Sequence, residues 1–440
     1  MTIVTPVSTD DAPVGATITT GAQQPVTIPV SRYIDPAFAQ LETERLWPRV
    51  WQLACSVDHV PEPGDVYEYR CGPYSTLIVR GDDGELRAFQ NVCRHRGSAL
   101  CDGAASGLTE IRCPFHRWTW DLRGHLREVP SRRGFGVLRN EDYGLFPAAV
   151  GTWGPMVFVN LSLDTPPLAD FLEGVPDDIA WVGLEEFHCE YLVSLPVAGN
   201  WKVVSDGFSE TYHVQGLHRE MLPIADDVNG PQYLWEHHGK LEQRYGVPSP
   251  RFRSTPSDQE VWDAFIEVMG TRIGVTSPSD VPTGAPVRST LASLIRSVGA
   301  EAGVSYDRFS DDQLLTMEQY NLFPNVSLVV FPDLFSILRS RPGPTPDESF
   351  MDVFHFTRRA PGAAPARATD VALPPSDSPP LGLVLGQDAA QIARAHRGLK
   401  QPGFTRMTLS REECRILNLH RNLERWLGIS PSEITGPAGR

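Results

Sequence analysis

Hydrophobic positions along the chain fall into two textures. From Trp51 to about Leu163 they come in short runs broken by turn residues. Thr76-Leu-Ile-Val-Arg80, the turn Gly81-Asp-Asp-Gly84 and Leu86-Arg-Ala-Phe89 predict a β-hairpin, and Met156-Val-Phe-Val-Asn160 predicts a further buried strand. Upstream, Pro36 to Trp47 places apolar residues at helical spacing. The first 30 or so residues, rich in Thr, Val and Pro, show no such period and read as a mobile or loosely docked arm. Beyond a Pro-containing linker, Asp164 to Leu168, helical spacing recurs around 206–220, 258–270, 288–300, 384–399 and 411–427. Between these stretches Ser327–Phe331, Phe335–Arg339 and Phe350–Phe356 alternate as adjacent antiparallel strands do, and 360–380, dense in Pro, Ala and Ser, reads as a surface loop. There is no internal repeat. The pattern predicts an α+β chain: an arm (1–37), a small antiparallel β domain with a preceding helix (38–163), and a larger domain built on an antiparallel sheet (164–440).

Composition narrows the class. The chain has 440 residues, and 54 acidic against 39 basic side chains give a net charge of −15, which argues against nucleic acid or an anionic membrane as partner. No apolar run approaches the roughly 20 residues that span a bilayer, and no signal-peptide pattern opens the sequence. The seven cysteines, an odd number without a framework, fit a reducing cytoplasm. A large soluble enzyme is the expectation.

The candidate chemistry is metal chemistry. Cys93-Arg-His95 and Cys113-Pro-Phe-His116 each offer a thiolate and an imidazole from a tight loop, with 17 residues between the pairs. Zinc modules usually pair Cys with Cys and His with His. One of each per loop is what a Rieske [2Fe–2S] centre needs, with both cysteines on one iron and both histidines on the other. Gly97 and Gly124 flank the loops, and Trp118 and Trp120 follow the second at strand spacing, as shields or as core. Further on, Asp206, Glu210 and His213 lie on one face of an ideal helix, while His218 falls roughly 140° away. Both imidazoles can reach one metal only if the helix loosens between them, most cheaply at Gly216. Two histidines with a carboxylate from elsewhere make the facial triad of non-haem Fe(II) oxygenases.

With Asn200-Trp-Lys202 ahead of the histidine pair, and Asp388 eight residues before His396-Arg-Gly-Leu399, the sequence resembles the α subunit of Rieske non-haem iron (ring-hydroxylating) oxygenases from about Phe38 to Leu427. The family commonly has Gln where His396 stands. The resemblance implies a Rieske domain of antiparallel sheet and a helix-grip (START-like) catalytic domain. It implies Asp388 as third iron ligand, with Glu412 and Glu413 the fallback candidates, and Asp206 beside the iron. It further implies head-to-tail homotrimers, β subunits being a variant, in which Glu210 bridges one subunit's His213 to a neighbour's His116. The implied cofactors are a [2Fe–2S] Rieske cluster and mononuclear Fe(II). The chain carries no flavin or nicotinamide fingerprint, so a separate ferredoxin or flavin reductase would supply electrons. The expected function is a terminal oxygenase that uses O₂ to hydroxylate, dihydroxylate or oxidatively demethylate a hydrophobic, expectedly aromatic, small molecule. Alternatives are an electron carrier fused to a ligand-binding domain and a zinc-structured binding module.

Overall fold

The computed structural model describes residues 2–4, 26–284, 286–363, 366–372 and 382–430. In the first half, seven antiparallel strands run in the order Gln52–Ser56, Met156–Asn160, Pro147–Trp153, Leu86–Gln90, Tyr74–Arg80, Val66–Cys71, Ala104–Ala105. The predicted hairpin is there, with Thr76 opposite Gln90 and Arg80 opposite Leu86, and Gly84 supplies the positive φ (81°) its turn needs. A separate three-stranded sheet, Ile111–Arg112, Thr119–Trp120 and Leu126–Glu128, carries the second cysteine–histidine loop.

The second half is organised by a nine-stranded sheet. Its order is Thr2–Val4, Gln232–Leu234, Gly239–Arg244, Thr316–Leu322, Val326–Val330, Phe335–Pro342, Ser349–Arg358, Phe187–Val197, Thr369–Ala372. All neighbours are antiparallel except the last pair. The three strands expected from alternation are neighbours in it. Phe187–Val197, Gly239–Arg244 and Thr316–Leu322 escape the pattern because polar side chains fill many of their positions. Helices that matter below are α1 (Pro36–Leu41), α2 (Trp201–Gly207), α3 (Val214–Leu217), α4 (Asp258–Met269), α5 (Val287–Glu301), α6 (Gly382–Leu399) and α7 (Cys414–Leu427). α4 starts at a reciprocal Ser257/Glu260 cap and packs with α5 in a core of its own. No helix among the described residues is long and apolar enough to cross a membrane.

The N-terminal segment departs from a loose arm. Val26–Pro29 pairs with Arg406–Leu409, and Ile28 and Val30 are buried, so the alternation Val26, Ile28, Val30 was a strand signal. Residues 5–25 lie outside the described residues, as do 364–365 and 373–380 of the proline-rich stretch, whose described part includes the strand Thr369–Ala372. α1 and the helical turn after it also pack on the second half. Glu42 is buried and accepts from the Trp201 indole (3.1 Å) and Lys202 Nζ (2.6 Å), while Arg45 donates to the Leu427 carbonyl. The Asn200-Trp-Lys block is therefore an anchor for this segment.

An ion triad helps to hold the β domain against the large sheet. Asp352, fully buried, receives the guanidinium groups of Arg339 (2.8 Å) and Arg341 (2.8 Å). Arg339 also donates to the carbonyls of Leu53 (2.8 Å) and Ala54 (2.7 Å), and Arg341 to that of Arg70 (3.0 Å), all in the other domain. Burial alone would raise the Asp352 carboxyl, but the two guanidiniums outweigh it and hold it far below the usual range. Replacing Asp352 with Ala strands two cations in a dry interface and is expected to cost about 3–5 kcal/mol. Urea unfolding measures this, and a loss below about 1 kcal/mol would refute the role.

Candidate metal centres and substrate pocket

The two cysteine–histidine loops are built alike. Cys93 N–H donates to the Ser98 carbonyl (2.8 Å) and Gly97 N–H to the Cys93 carbonyl (3.0 Å). The second loop repeats both bonds, Cys113 N–H to Trp118 O (2.9 Å) and Arg117 N–H to Cys113 O (3.0 Å). The residue four past each cysteine takes left-handed backbone, Gly97 at φ 78° and Arg117 at φ 62°. Glycine pays nothing for this and arginine does, so the second loop is held strained. The strain puts His95 and His116 side by side, ring centroids 4.7 Å apart, with Trp118 stacked on His95 at 5.3 Å.

These residues fit a two-iron cluster. His95 Nδ1 is buried without a partner, as an unfilled ligand nitrogen would be. Burial and then the neighbouring His116 and Arg96 depress the His95 pKa, keeping the ring neutral. Burial raises the Cys113 thiol, yet the backbone N–H groups of His116 and Phe115 outweigh it and favour the thiolate. Among the described residues the four donors do not gather within 4.8 Å of one another, as ligands of one tetrahedral zinc would.

The second constellation is assembled differently from the expected single helix. α2 stops at Gly207, where the Ser209 hydroxyl turns back to the Ser205 carbonyl (2.7 Å) and the Thr211 hydroxyl bonds the Asp227 carbonyl (3.0 Å). Such side chains compete with the helical ladder. The break therefore falls between Asp206 and His213, and Gly216 lies inside the short helix α3. Glu210 starts that helix: its carboxylate accepts the His213 backbone N–H (2.9 Å) and lies 2.6 Å from His213 Nδ1. His213 and His218 flank α3, ring planes 79° apart and centroids 5.0 Å apart.

The carboxylate arrives from α6. Asp388 sits on the stripe formed by Leu385, Ile392, His396 and Leu399 at helical spacing, and is itself buried. Its Oδ1 lies 2.8 Å from His218 Nε2 and 3.9 Å from His213 Nε2, and the donors of all three residues lie within 4.8 Å of one another. Burial lowers the His218 pKa, but Asp388 outweighs it, so a positive charge is favoured between them. A proton or a metal can supply it. Glu412 and Glu413 are elsewhere employed: Glu412 pairs with Arg251 (3.1 Å), and Glu413 accepts the Ser410 N–H (2.6 Å) at the start of α7. Gln387, which sequence reading passed over, lies 2.6 Å from His218 Nδ1 and orients the ring. His396, where the resemblance expects Gln, accepts the Asn200 N–H (3.3 Å) and pairs with Asp347 (2.8 Å), tying α6 to the start of α2.

His213, Asp388, Glu210, Asp206, Glu413 and Gln391 open onto one pocket with about 760 Å³ of space not filled by atoms, and the rest of its wall, including Val203, Phe208, Leu217 and Ile416, is apolar. Asp206 Oδ2 accepts the Tyr33 hydroxyl at 2.6 Å, and Tyr33 oxygen lies 2.7 Å from His420 Nε2. Burial, then Arg32 and Lys202, keep His420 neutral, so its N–H donates to Tyr33. Burial is the main reason the Asp206 pKa is pushed up to about 7. Nothing local in the sequence announces Tyr33, because it reaches Asp206 across 173 residues.

A thiolate–imidazole centre and a separate imidazole–carboxylate centre are together the equipment of a two-centre redox protein. The family model for the ring-hydroxylating α subunit catalytic domain matches residues 180–429, and that for the Rieske [2Fe–2S] domain matches 50–141. The chain belongs to the ring-hydroxylating oxygenase α-subunit family, whose cofactors are the Rieske [2Fe–2S] cluster and a mononuclear iron. It is 31% identical over 208 residues to the glycine betaine monooxygenase oxygenase subunit of Pseudomonas aeruginosa (47% of this chain, 48% of that one). It is 30% identical over 237 residues to the biphenyl 2,3-dioxygenase α subunit of Rhodococcus jostii (47% and 49%). The chain thus spans about half the length of these relatives. A solved quaternary ammonium Rieske monooxygenase described in terms of carnitine oxidation shares the fold (TM-score 0.67, 17% identity, 91% of this chain and 95% of that one). So does naphthalene 1,2-dioxygenase from Rhodococcus sp. (0.63, 19%, 92% and 95%).

Gln387→Leu removes the partner of His218 Nδ1 without touching Asp388. Metal held by the triad is expected to bind about 10- to 100-fold more weakly. Titration with Fe(II) or Co(II) measures this, with the absorbance of the cluster as the internal control. Unchanged metal affinity would mean that Gln387 does not orient the ring.

Proposed function

We propose that this chain is the terminal oxygenase component of a Rieske system, which takes electrons from a separate ferredoxin or reductase and inserts oxygen from O₂ into a small organic molecule. The observation that carries this reading is the convergence of His213, His218 and Asp388 at an apolar pocket in a chain that also has a Rieske domain. In it, Cys93, His95, Cys113 and His116 hold the cluster, and His213, His218 and Asp388 hold the iron. An electron carrier with an inert second domain would have no use for a carboxylate on the buried stripe of α6.

When bound, the two metal centres supply electron storage and O₂ activation. The protein's own residues do the rest. Gln387 and Glu210 fix the second nitrogens of the two histidines, leaving each Nε2 free to face Asp388. Tyr33 holds Asp206 at the pocket wall, where a carboxyl group with a pKa near neutrality can hold or release a proton. The apolar wall excludes water and seats the substrate carbon. Glu210 is also placed to link His213 to His116 of a neighbouring subunit in a trimer. The quaternary ammonium monooxygenase above, described in terms of inter-subunit electron transfer, supports that route.

Iron analysis tests the reading: the oxygenase should contain about three irons per chain, a carrier about two. Asp388→Ala should keep the cluster spectrum and lose the third iron and all turnover. Normal iron loading in that variant would move the third ligand elsewhere. Glu210→Gln should keep both centres and the oligomer, yet turn over orders of magnitude more slowly, because it removes the charge between two imidazoles. In single turnover its cluster should stay reduced in the presence of substrate and O₂. A near wild-type rate would eliminate the bridge.

A further inference from the structure

The pocket's charge is unbalanced. Four carboxylates line it, Asp206, Glu210, Asp388 and Glu413, and among the described residues no lysine or arginine does. On the reading above, Fe(II) brings two positive charges, matched by Asp388 and Glu210. Asp206 and Glu413 remain. The nearest cations make their short contacts elsewhere, although Lys202 attracts Asp206 and Arg415 attracts Glu210 through space. Lys202 pairs with Glu42 at 2.6 Å, Arg251 with Asp227 (2.8 Å) and Glu412 (3.1 Å), and buried Arg415 points at the amides of Gln232, Gln319 and Asn321. Asp206 is 7% exposed, and while its Oδ2 takes the Tyr33 hydroxyl, its Oδ1 has no partner. Glu413 is bonded by the backbone N–H and the hydroxyl of Ser410 and joins no ion pair among the described residues. Burial raises the pKa of both groups, and Glu210 raises each further. A buried acid and a half-buried one, neither in an ion pair among the described residues, are costly, and the apolar part of the wall strengthens any cation's attraction to them.

The geometry points to an organic cation as the molecule this pocket takes: an apolar body among Leu217, Ile392 and Ile416, and an ammonium head against Asp206 and Glu413. The unpartnered Asp206 oxygen favours a head that carries an N–H, because a hydrogen bond to a charged group adds to the attraction. A carboxylate on the same ligand would face four acids and no cation. The pocket therefore rejects zwitterions, including the glycine betaine and carnitine for which relatives of this chain are named. This inference rests on the oxygenase reading only for the charge of the iron.

Binding by the oxidised holoprotein without reductant tests it apart from turnover. Calorimetry at about pH 8, where the amine is a cation and Asp206 is ionised, compares benzyldimethylamine, its uncharged carbon isostere isobutylbenzene, and glycine betaine. The amine should bind about tenfold or more tightly than isobutylbenzene, and glycine betaine should not bind. Glu413→Gln and Asp206→Asn should each shrink the preference for the amine, and Glu413→Gln keeps the test open if the other variant does not fold. Equal binding of amine and isostere, a preference intact in the variants, or binding of glycine betaine would each overturn the inference. An amine that binds selectively but is never oxidised supports it while sinking the oxygenase reading.

Discussion

A buried ion triad at Asp352 is a central contact in the placing of one domain against the other. A fully buried carboxylate gathers two arginines, and each arginine also donates to backbone carbonyls of the β domain. Carbonyl oxygens are fixed by the strands that carry them, so the contact dictates orientation as well as attachment. A patch of apolar side chains could join the same surfaces with more latitude. A buried ion triad supplies geometric constraint better than it supplies net stability.

The two candidate centres are built in two ways. The cysteine–histidine loops are local: each is a tight turn that closes on its own backbone, and Arg117 accepts left-handed geometry so that the second copies the first. The His213, His218 and Asp388 site is divided between a broken helix and a distant one. Glu210 sets one imidazole from three residues away, whereas Gln387 sets the other across 169 residues.

Around this site the chain keeps several acids wholly or partly buried. Asp206 and Glu413 are both raised by burial, and Tyr33, brought in by the N-terminal segment, makes the one hydrogen bond that holds Asp206 in place. The anchor of that segment, Glu42 against Trp201 and Lys202, is thus linked to the pocket, because Lys202 and Asp206 share α2.

Short-range features were legible in the residues alone. The hairpin from Thr76 to Phe89, helices 258–270, 288–300 and 384–399, and the paired Cys-x-His and Cys-x₂-His loops each depend on residues a few positions apart, where periodicity and ligand spacing act directly. The overall α+β order followed from the same patterns. Resemblance to a family was needed to connect Asp388 with His218, since no local rule joins residues 170 apart. Tertiary structure alone decided the rest: that the helix after Asn200 ends at Gly207, that Val26 to Leu46 docks on the large domain, and that Gln387 and Tyr33 belong to the site. In each case the deciding partner is remote in sequence, or a side-chain hydroxyl competes with the backbone, and neither leaves a periodic trace.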